Sequence, residues 1–164
     1  MDTVKLSELV GQEIVDLKSH YVAENEYGLQ SFHAFIKLKP DTIIDIPKFA
    51  DDDEYLQLTQ ENLAYLEKMF DTGQSVDDRL KTHIIGQRIV DFYFSYYNNE
   101  VDFDQSAFIK LSNDYYLTED NSGPVGLTNI GLIILDKEQF RREVKRLKEI
   151  EVDVRSFTTM KNPC

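Results

Sequence analysis

The chain has 164 residues, of which 41% are hydrophobic, including 10 Phe and 9 Tyr, so it can build a packed core and is unlike a disordered protein. Its formal net charge of −12 disfavours nucleic acid and anionic membranes as partners and favours a basic protein. No apolar run approaches the roughly 20 residues of a membrane span, and no secretory leader is visible. The single cysteine, Cys164, excludes an internal disulfide. We therefore expect a cytoplasmic protein.

Two parts of the chain share short sequences in the same order. The pattern Gly-Gln-x-Ile-Val-Asp occurs at 11–16 and again 75 residues later at 86–91. The run Ala-Phe-Ile-Lys-Leu follows at 34–38 and recurs 73 residues later at 107–111. Matches at nearly constant offset indicate an internal duplication, with one short insertion or deletion between the matching blocks.

The first copy is predicted to contain two helices and three strands. Their approximate bounds are 6–10, 13–22, 32–38, 42–46 and 59–72, the first and last being helical. Gly11 ends the short helix, because glycine readily adopts the left-handed conformation at a helix end. Alternation in the first strand places Val15 with Leu17 on one face, opposite Asp16.

The second copy is predicted to begin in the same way and then to diverge. Its short helix and three strands span about 80–85, 88–97, 106–111 and 115–118. An added strand at 132–135 precedes a helix that begins at Asp136, where Gln139 completes a capping box. That helix is expected to bury Phe140, and a last edge strand covers 152–157.

We therefore predict an α+β fold in which residues 1–164 form a single domain. It consists of two tandem repeats, at approximately 6–73 and 80–150, each a three-stranded antiparallel sheet plus a helix. One such unit buries too little apolar surface alone, so the two copies should pack together. Two arrangements fit this pattern: one continuous sheet across a pseudo-twofold axis, or two sheets stacked face to face.

Motifs for catalysis or metal binding are scarce. The sequence has no glycine-rich phosphate loop, no nucleophile elbow and no cysteine pair for zinc. His20 and His33 lie on adjacent predicted strands and, with Asp16, would form a metal or acid–base cluster; two surface histidines are the simpler interpretation. The acidic run 51–54 lacks the ligand spacing of a calcium loop. We predict no enzyme activity, no catalytic residue, no metal and no cofactor.

The strand 88–97 carries the best candidate for a binding surface. Alternation puts Val90 on the core face, and the opposite face then presents Asp91, Tyr93 and Tyr97. Tyrosine supplies rigid contact area at low entropic cost and is frequent in binding patches. Nearby acids are expected to surround these side chains: Glu100, Asp102, Asp104, Glu119 and Asp120. The alternative is that both faces of the sheet are covered and that these tyrosines belong to the core.

The stretches Gly-Gln-Arg-Ile-Val-Asp at 86–91 and Gly-Pro-Val-Gly-Leu-Thr-Asn-Ile at 123–130 are similar to segments of uncharacterised bacterial proteins. With its size, acidity and α+β pattern, the chain resembles the immunity proteins that bacteria pair with secreted toxins, including those of contact-dependent inhibition systems. The resemblance implies a protein that binds a cognate toxin domain and occludes its active site. Because this chain is acidic, the implied toxin domain is a basic nuclease. Two other classes remain open: a regulatory module that self-associates through an exposed edge strand, and a His-dependent enzyme or metal protein.

Overall fold

The computed structural model describes residues 3–23, 30–39, 42–46, 57–59, 64, 67–68, 70–75, 78–102, 107–120 and 131–158. In chain order its elements are β1 (Thr3–Lys5), α1 (Leu6–Leu9), β2 (Ile14–Ala23), β3 (Gln30–Leu38), β4 (Ile43–Ile46), β5 (Gln57–Thr59), β6 (Gln74–Ser75), α2 (Asp78–Ile84), β7 (Ile89–Tyr97), β8 (Glu100–Val101), β9 (Phe108–Leu111), β10 (Tyr116–Asp120), β11 (Gly131–Leu135), α3 (Lys137–Glu149) and β12 (Asp153–Ser156). Residues 64, 67–68 and 70–71 are also helical.

The strands form two main antiparallel sheets, which confirms an α+β fold. Sheet one has the order β4-β3-β2-β6, and sheet two has the order β11-β10-β9-β7-β12, with β8 also paired to β7. A separate two-stranded sheet pairs β1 with β5. Three strands per sheet were predicted, and this count is not confirmed. Sheet one has a fourth strand, β6, paired with β2, and sheet two has three more: β8 and β12 paired with β7, and β11 paired with β10.

The two main sheets pack face to face around one apolar core. Leu17 and Ile36 of sheet one belong to the same buried cluster as Phe92, Ile109 and Leu117 of sheet two. Each of these side chains is at most 1% exposed. The sequence left two arrangements open; the sheets share one core as stacked sheets do, and a short antiparallel pairing also links them.

Helical residues cover the outer face of each sheet. On sheet two, Phe140 and Leu147 of α3 pack against Phe108 and Tyr116. On sheet one, the helical residue Phe70 forms a smaller buried cluster with Phe35 and Ile43. At Phe35 on sheet one and at Phe108 on sheet two, helical residues therefore pack on the face opposite the shared core.

The two sheets are joined by a short antiparallel pairing between residues 11–15 and 86–90, which we call the junction. At its centre Glu13 and Arg88 form a β-bridge. On one side of the bridge Ile14 N donates to Gln87 O at 2.8 Å, and on the other Ile89 N donates to Gln12 O at 3.0 Å. The hydrogen bonds are related by a twofold exchange of the two segments.

Beyond the bridge, both segments of the junction turn in the same way. Gly11 has φ of 91° and Gly86 has φ of 87°, values that favour glycine. Gly11 N donates to Ile89 O at 2.7 Å, and Gly86 N donates to Ile14 O at 2.8 Å. The glycine in each Gly-Gln-x-Ile-Val-Asp pattern is therefore required by the backbone, and it ends the helical turn before it as predicted.

A β-bulge follows the glycine in each segment and changes which residues face the core. The pairing register shifts between Ile14 and Asp16, and again between Ile89 and Asp91. The extra residue is a valine in both places. The prediction that Val15 shares the face of Leu17, and the prediction that Val90 faces the core, are both wrong: Leu17 is buried, whereas Val15 and Val90 are 38% and 40% exposed. A bulge inserts one residue into the alternation, so the buried positions become the isoleucines before it.

Several predicted features are present and others lie outside the described residues. The capping box of α3 is complete, because Asp136 accepts from Gln139 N and Gln139 Oε1 accepts from Asp136 N, both at 2.8 Å. Thr59, the predicted first residue of the helix at 59–72, is the last residue of β5. The following parts lie outside the described residues: 24–28, the acidic run 51–54, Leu63, Leu66, the stretch 121–130 and the end 159–164 with Cys164.

Candidate functional site

Asp91, predicted to lie on an outward face, is buried at the point where β12 meets β7. Its side chain is only 6% exposed. Its carboxylate accepts from Phe92 N at 2.8 Å, from Thr158 N at 3.1 Å and from Thr158 Oγ1 at 2.9 Å. The hydroxyl of Ser156 donates to it as well. The prediction for Asp91 is therefore corrected: the segment from Ser156 to Thr158, at and beyond the end of β12, closes over this carboxylate and satisfies it within the protein.

Tyr93, the second predicted contact, is half-buried in an aromatic cluster under α3. Its ring packs edge-on against Phe140, at 5.2 Å between centroids, and against Tyr116, at 5.9 Å. Burial, and then the charges of Asp91 and Tyr116, raise the pKa of Tyr93 from 10.0 to about 12. For Tyr93 the alternative interpretation, in which the tyrosine belongs to the core, is therefore correct. Its ring is part of the packing of α3 on the sheet.

Tyr97, the third predicted contact, stands exposed at the end of β7. Its side chain is 45% exposed, and its partner across the hairpin is Glu100, which is exposed too. Asn98 and Asn99 make the turn between them, with φ of 51° and 66°. Two successive residues of positive φ are typical of the tight turn that suits the twist of paired strands, and asparagine tolerates them. We call residues 97–100 the hairpin tip.

The hairpin tip is tied to the neighbouring strand β12 by Arg155. A guanidinium nitrogen of Arg155 donates to Asn99 Oδ1 at 2.9 Å and lies 3.6 Å from an Asp153 carboxylate oxygen. The same guanidinium lies over the ring of Tyr96, at 4.7 Å from its centroid. These contacts fix the turn relative to sheet two, so Tyr97 and Glu100 are displayed on an ordered support.

The remaining predicted contacts are only partly described. Asp102 is half-buried and its N–H donates to Ser95 O at 2.9 Å, which places it directly after the hairpin tip. Glu119 and Asp120 end β10, which runs parallel to β7, so they lie at the same end of sheet two; their side chains are outside the described residues. Asp104 is also outside them.

The proposed histidine cluster is only partly visible. His20 and His33 are direct partners in the register of β2 and β3, which confirms that they occupy adjacent positions, while their side chains lie outside the described residues. The carboxylate of Asp16 accepts from Leu17 N at 2.8 Å and lies 3.7 Å from Lys81 Nζ. In the part of the chain that the structure describes, no three or more His, Cys, Asp or Glu side chains are grouped to hold a metal.

The edge strand β12 carries charges on the face it shares with the core. Asp153 pairs with Tyr96 and Arg155 pairs with Phe94, so both charged side chains stand on the same face as these buried rings. Both side chains remain in contact with solvent, since Asp153 is 55% exposed and Arg155 is 34% exposed. Charged residues along an edge strand disfavour the addition of a further strand, which counts against strand-to-strand self-association at this edge.

Sequence reasoning missed Ser156 and Thr158, whose hydroxyls bind Asp91. Nothing in the sequence around these two hydroxyls predicts that they bind a carboxylate, because Asp91 lies far away along the chain.

Within the described ranges, no helix has the length and apolar character needed to cross a membrane. No family model, no curated protein and no solved structure matches this chain.

Proposed function

We propose that this protein is an immunity protein, not an enzyme, which binds a cognate toxin domain in the cytoplasm and neutralises it by covering the toxin's active site. The observation that carries the proposal is the hairpin tip, where an exposed tyrosine, Tyr97, stands directly across from an exposed acid, Glu100. Aromatic rings beside charged groups are typical of the anchors in protein interfaces.

The order of the hairpin tip supports a role in tight binding. Association is weakened by the entropy lost when mobile side chains and loops become fixed. Here the two-residue turn has little freedom, and Arg155 holds Asn99 against β12. A surface that is already ordered before it meets its partner loses less entropy on binding, so more of the contact energy becomes affinity.

The charge of the chain supports a basic partner. With a net charge of −12, the molecule attracts a basic domain at long range, which raises the association rate. Since Asp91 and Tyr93 are taken up in the packing of sheet two, the proposed contact surface is narrower than the sequence suggested. It is centred on Tyr97 and Glu100 and continues into Asp102, and it includes Asp104, Glu119 and Asp120 as proposed contacts.

We also propose that the chain arose from two tandem copies of one unit, packed as a single domain. The support comes from equivalent hydrogen bonds of the two motifs: Asp16 Oδ1 accepts from Leu17 N and Asp91 Oδ1 accepts from Phe92 N, both at 2.8 Å. The cross-strand partners also match. In the first copy Lys18 pairs with Phe35. The equivalent residues of the second copy are Tyr93, 75 positions after Lys18, and Phe108, 73 positions after Phe35, and they pair with each other.

The function is tested by binding. The natural candidate for the toxin is the variable C-terminal domain of a large secreted protein encoded directly upstream of this gene. We expect Tyr97→Ala to raise the Kd for that domain about tenfold or more, and Glu100→Lys to slow association with it. Val90→Ala and Glu138→Lys are matched controls, because both residues are exposed at the end of sheet two opposite the hairpin tip: Val90 at the start of β7, and Glu138 just after the end of β11.

The outcomes separate the site from the function. If the Tyr97 and Glu100 variants weaken binding and the controls leave it unchanged, both the proposed function and the proposed site are supported. Tight binding that none of the four variants affects keeps the function and rejects the hairpin tip as its site. Absence of any complex, together with full toxicity in cells that produce this protein, rejects the proposed function.

A further inference from the structure

The two Gly-Gln-x-Ile-Val-Asp patterns share one residue that the fold of a single molecule does not explain. The glycines adopt positive φ, the isoleucines are buried, and each aspartate binds the N–H that follows it. Of the glutamines, Gln12 Nε2 donates to Glu8 O and Gln87 Oε1 accepts from Ser112 Oγ, both at 2.9 Å. The valines, Val15 and Val90, are exposed instead.

A preference of the backbone does not account for valine at both positions. A bulge in a sheet suits β-branched residues, but threonine is β-branched too and has a polar side chain for solvent. Val15 and Val90 are also two of only four large hydrophobic side chains that are exposed in the described part of the chain. An apolar side chain kept at both positions, on one surface, indicates that something covers it.

The valines lie on one outward face of the junction. Glu13 and Arg88 are bridge partners, so their side chains leave the same side of the pairing. The isoleucines next to them point to the other side and are buried. Glu13, Val15, Arg88 and Val90 therefore share the solvent side, and we call these four residues the junction patch.

The junction patch is complementary to itself. Its centre holds one acid and one base at positions that exchange under the local twofold axis, Glu13 and Arg88. A half-turn about an axis in the plane of the patch, parallel to its strands, places Glu13 of one molecule opposite Arg88 of a second. The same rotation places each valine of one molecule over the glycine beside the valine of the other. A Cβ atom added at Gly11 or Gly86 would meet nothing within 4 Å, so the space over each glycine is open to a partner.

We propose that the junction patch is the interface for a second copy of this chain, in a twofold-symmetric dimer. Val15 of one molecule packs over Gly86 of the other, Val90 packs over Gly11, and the two central charge pairs form between molecules. Such isologous contacts, in which one surface meets itself, are the commonest kind in protein dimers. In the single molecule the side chain of Arg88 lies along the patch and donates to Gly11 O at 2.8 Å.

The size of the patch sets the expected strength. Four residues bury much less than the roughly 1,200–2,000 Å² of a stable specific interface. The dimer should therefore be weak, in the micromolar to millimolar range, and should dissociate as salt screens its charge pairs. This weakness lets the same molecule act as a monomer when dilute.

Sedimentation of the full chain, across micromolar to millimolar concentrations at low and high salt, tests the proposal. Val15→Asp combined with Val90→Asp is expected to weaken self-association at least tenfold, on the order of what loss of an interface anchor causes. Ile150→Ser is the matched control, because Ile150 is even more exposed at 51% and lies outside the patch. Circular dichroism checks that each variant is folded.

A charge exchange makes the test specific to this pairing. Glu13→Arg alone and Arg88→Glu alone each place like charges opposite each other, so each variant should stay monomeric. A mixture of the two variants restores opposite charges at both contacts and should form a mixed dimer. A wild-type chain that sediments as a monomer at every concentration, valine variants that associate normally, or a mixture that stays monomeric each overturns the proposal.

Discussion

The carboxylate of Asp91 accepts hydrogen bonds from both the backbone N–H and the hydroxyl of Thr158, which lies 67 residues later in the chain. Ser156 donates to the same carboxylate. Between these two residues, Phe157 is buried and meets Phe92 edge-on, at 6.2 Å between ring centroids. One buried carboxylate thus fixes the end of β12 on β7, and it does so beside an apolar contact that needs the same alignment.

Replacing Asp91 should release that end of the chain. Asp91→Ala leaves the N–H of Phe92, the N–H of Thr158 and two hydroxyls without their acceptor, and buried unpaired donors cost about 1–3 kcal/mol each before relaxation. We expect a loss of about 2–4 kcal/mol in the free energy of unfolding, as for removal of one member of a buried polar network. Urea unfolding measures it, and faster amide exchange in residues 153–156 would locate it.

The chain contains its own control for this prediction. Asp16 occupies the same place in the first motif, but its side chain is 41% exposed. Its carboxylate accepts from Leu17 N and lies 3.7 Å from Lys81 Nζ. Asp16→Ala should therefore cost no more than about 1 kcal/mol. Equal losses for the two substitutions would show that the bonds to Ser156 and Thr158 contribute nothing.

The glycines of the junction give a second prediction. Gly86→Ala should destabilise the protein by about 1–2 kcal/mol, because the left-handed conformation is strained for residues with a Cβ. Its cause is conformational, since an added Cβ meets nothing within 4 Å. Gly86→Asn should cost less, because asparagine adopts positive φ more readily. Thermal unfolding of both variants decides: if alanine and asparagine behave alike, or if alanine is neutral, backbone strain is not what keeps glycine at this position.

Local patterns in the sequence were sufficient to predict most elements of the fold. Helix α3 was recognised because Asp136 and Gln139 form a capping box and because Phe140 lies on its apolar face. The long strands β2 and β7 were recognised by alternation. The stacking of the two sheets could not be predicted in this way. It depends on which apolar faces meet, and the same alternation fits more than one arrangement of these faces.

The candidate site was harder to predict because a bulge changes the meaning of alternation. Counting every second residue from Val90 put Asp91 outside, whereas the bulge exposes Val90, and Ser156 and Thr158 then bury Asp91. The approach of Ser156 and Thr158 is not encoded near residue 91. Tyr97 lies beyond the part of β7 that pairs with β12, so for this residue the simple prediction of exposure was confirmed.

The aromatic cluster under α3 gives a third prediction. Phe140 stacks on Tyr116 with 3.8 Å between ring centroids and meets Phe108 edge-on at 5.1 Å. Phe140→Ala should cost about 3–5 kcal/mol of stability, the range for removing a buried ring. Val144→Ala, on the same helix but only half-buried, should cost less. Urea unfolding gives both values, and loss of the tyrosine signal in near-ultraviolet circular dichroism would show that the cluster itself had loosened.

Tyr93 gives a prediction for alkaline pH. Burial and the charge of Asp91 raise its pKa in the folded protein to about 12, from 10.0 for the free side chain. As pH rises past 10.0, the unfolded chain releases this proton while the folded protein still holds it. The unfolded state then binds fewer protons than the native state, so stability falls with rising pH until the folded pKa is reached.

Substitution of Tyr93 should remove this part of the alkaline loss. Tyr93→Phe keeps the ring in its contacts with Phe140 and Tyr116 but has no phenolic proton, so its stability should decline less than that of the wild type between pH 10 and 12. Tyr97→Phe is the control, because it leaves Tyr93 in place and should retain the decline due to Tyr93. Denaturant unfolding at a series of pH values gives the comparison, and parallel curves for wild type and Tyr93→Phe would mean that the hydroxyl of Tyr93 titrates as freely in the folded protein as in the unfolded chain.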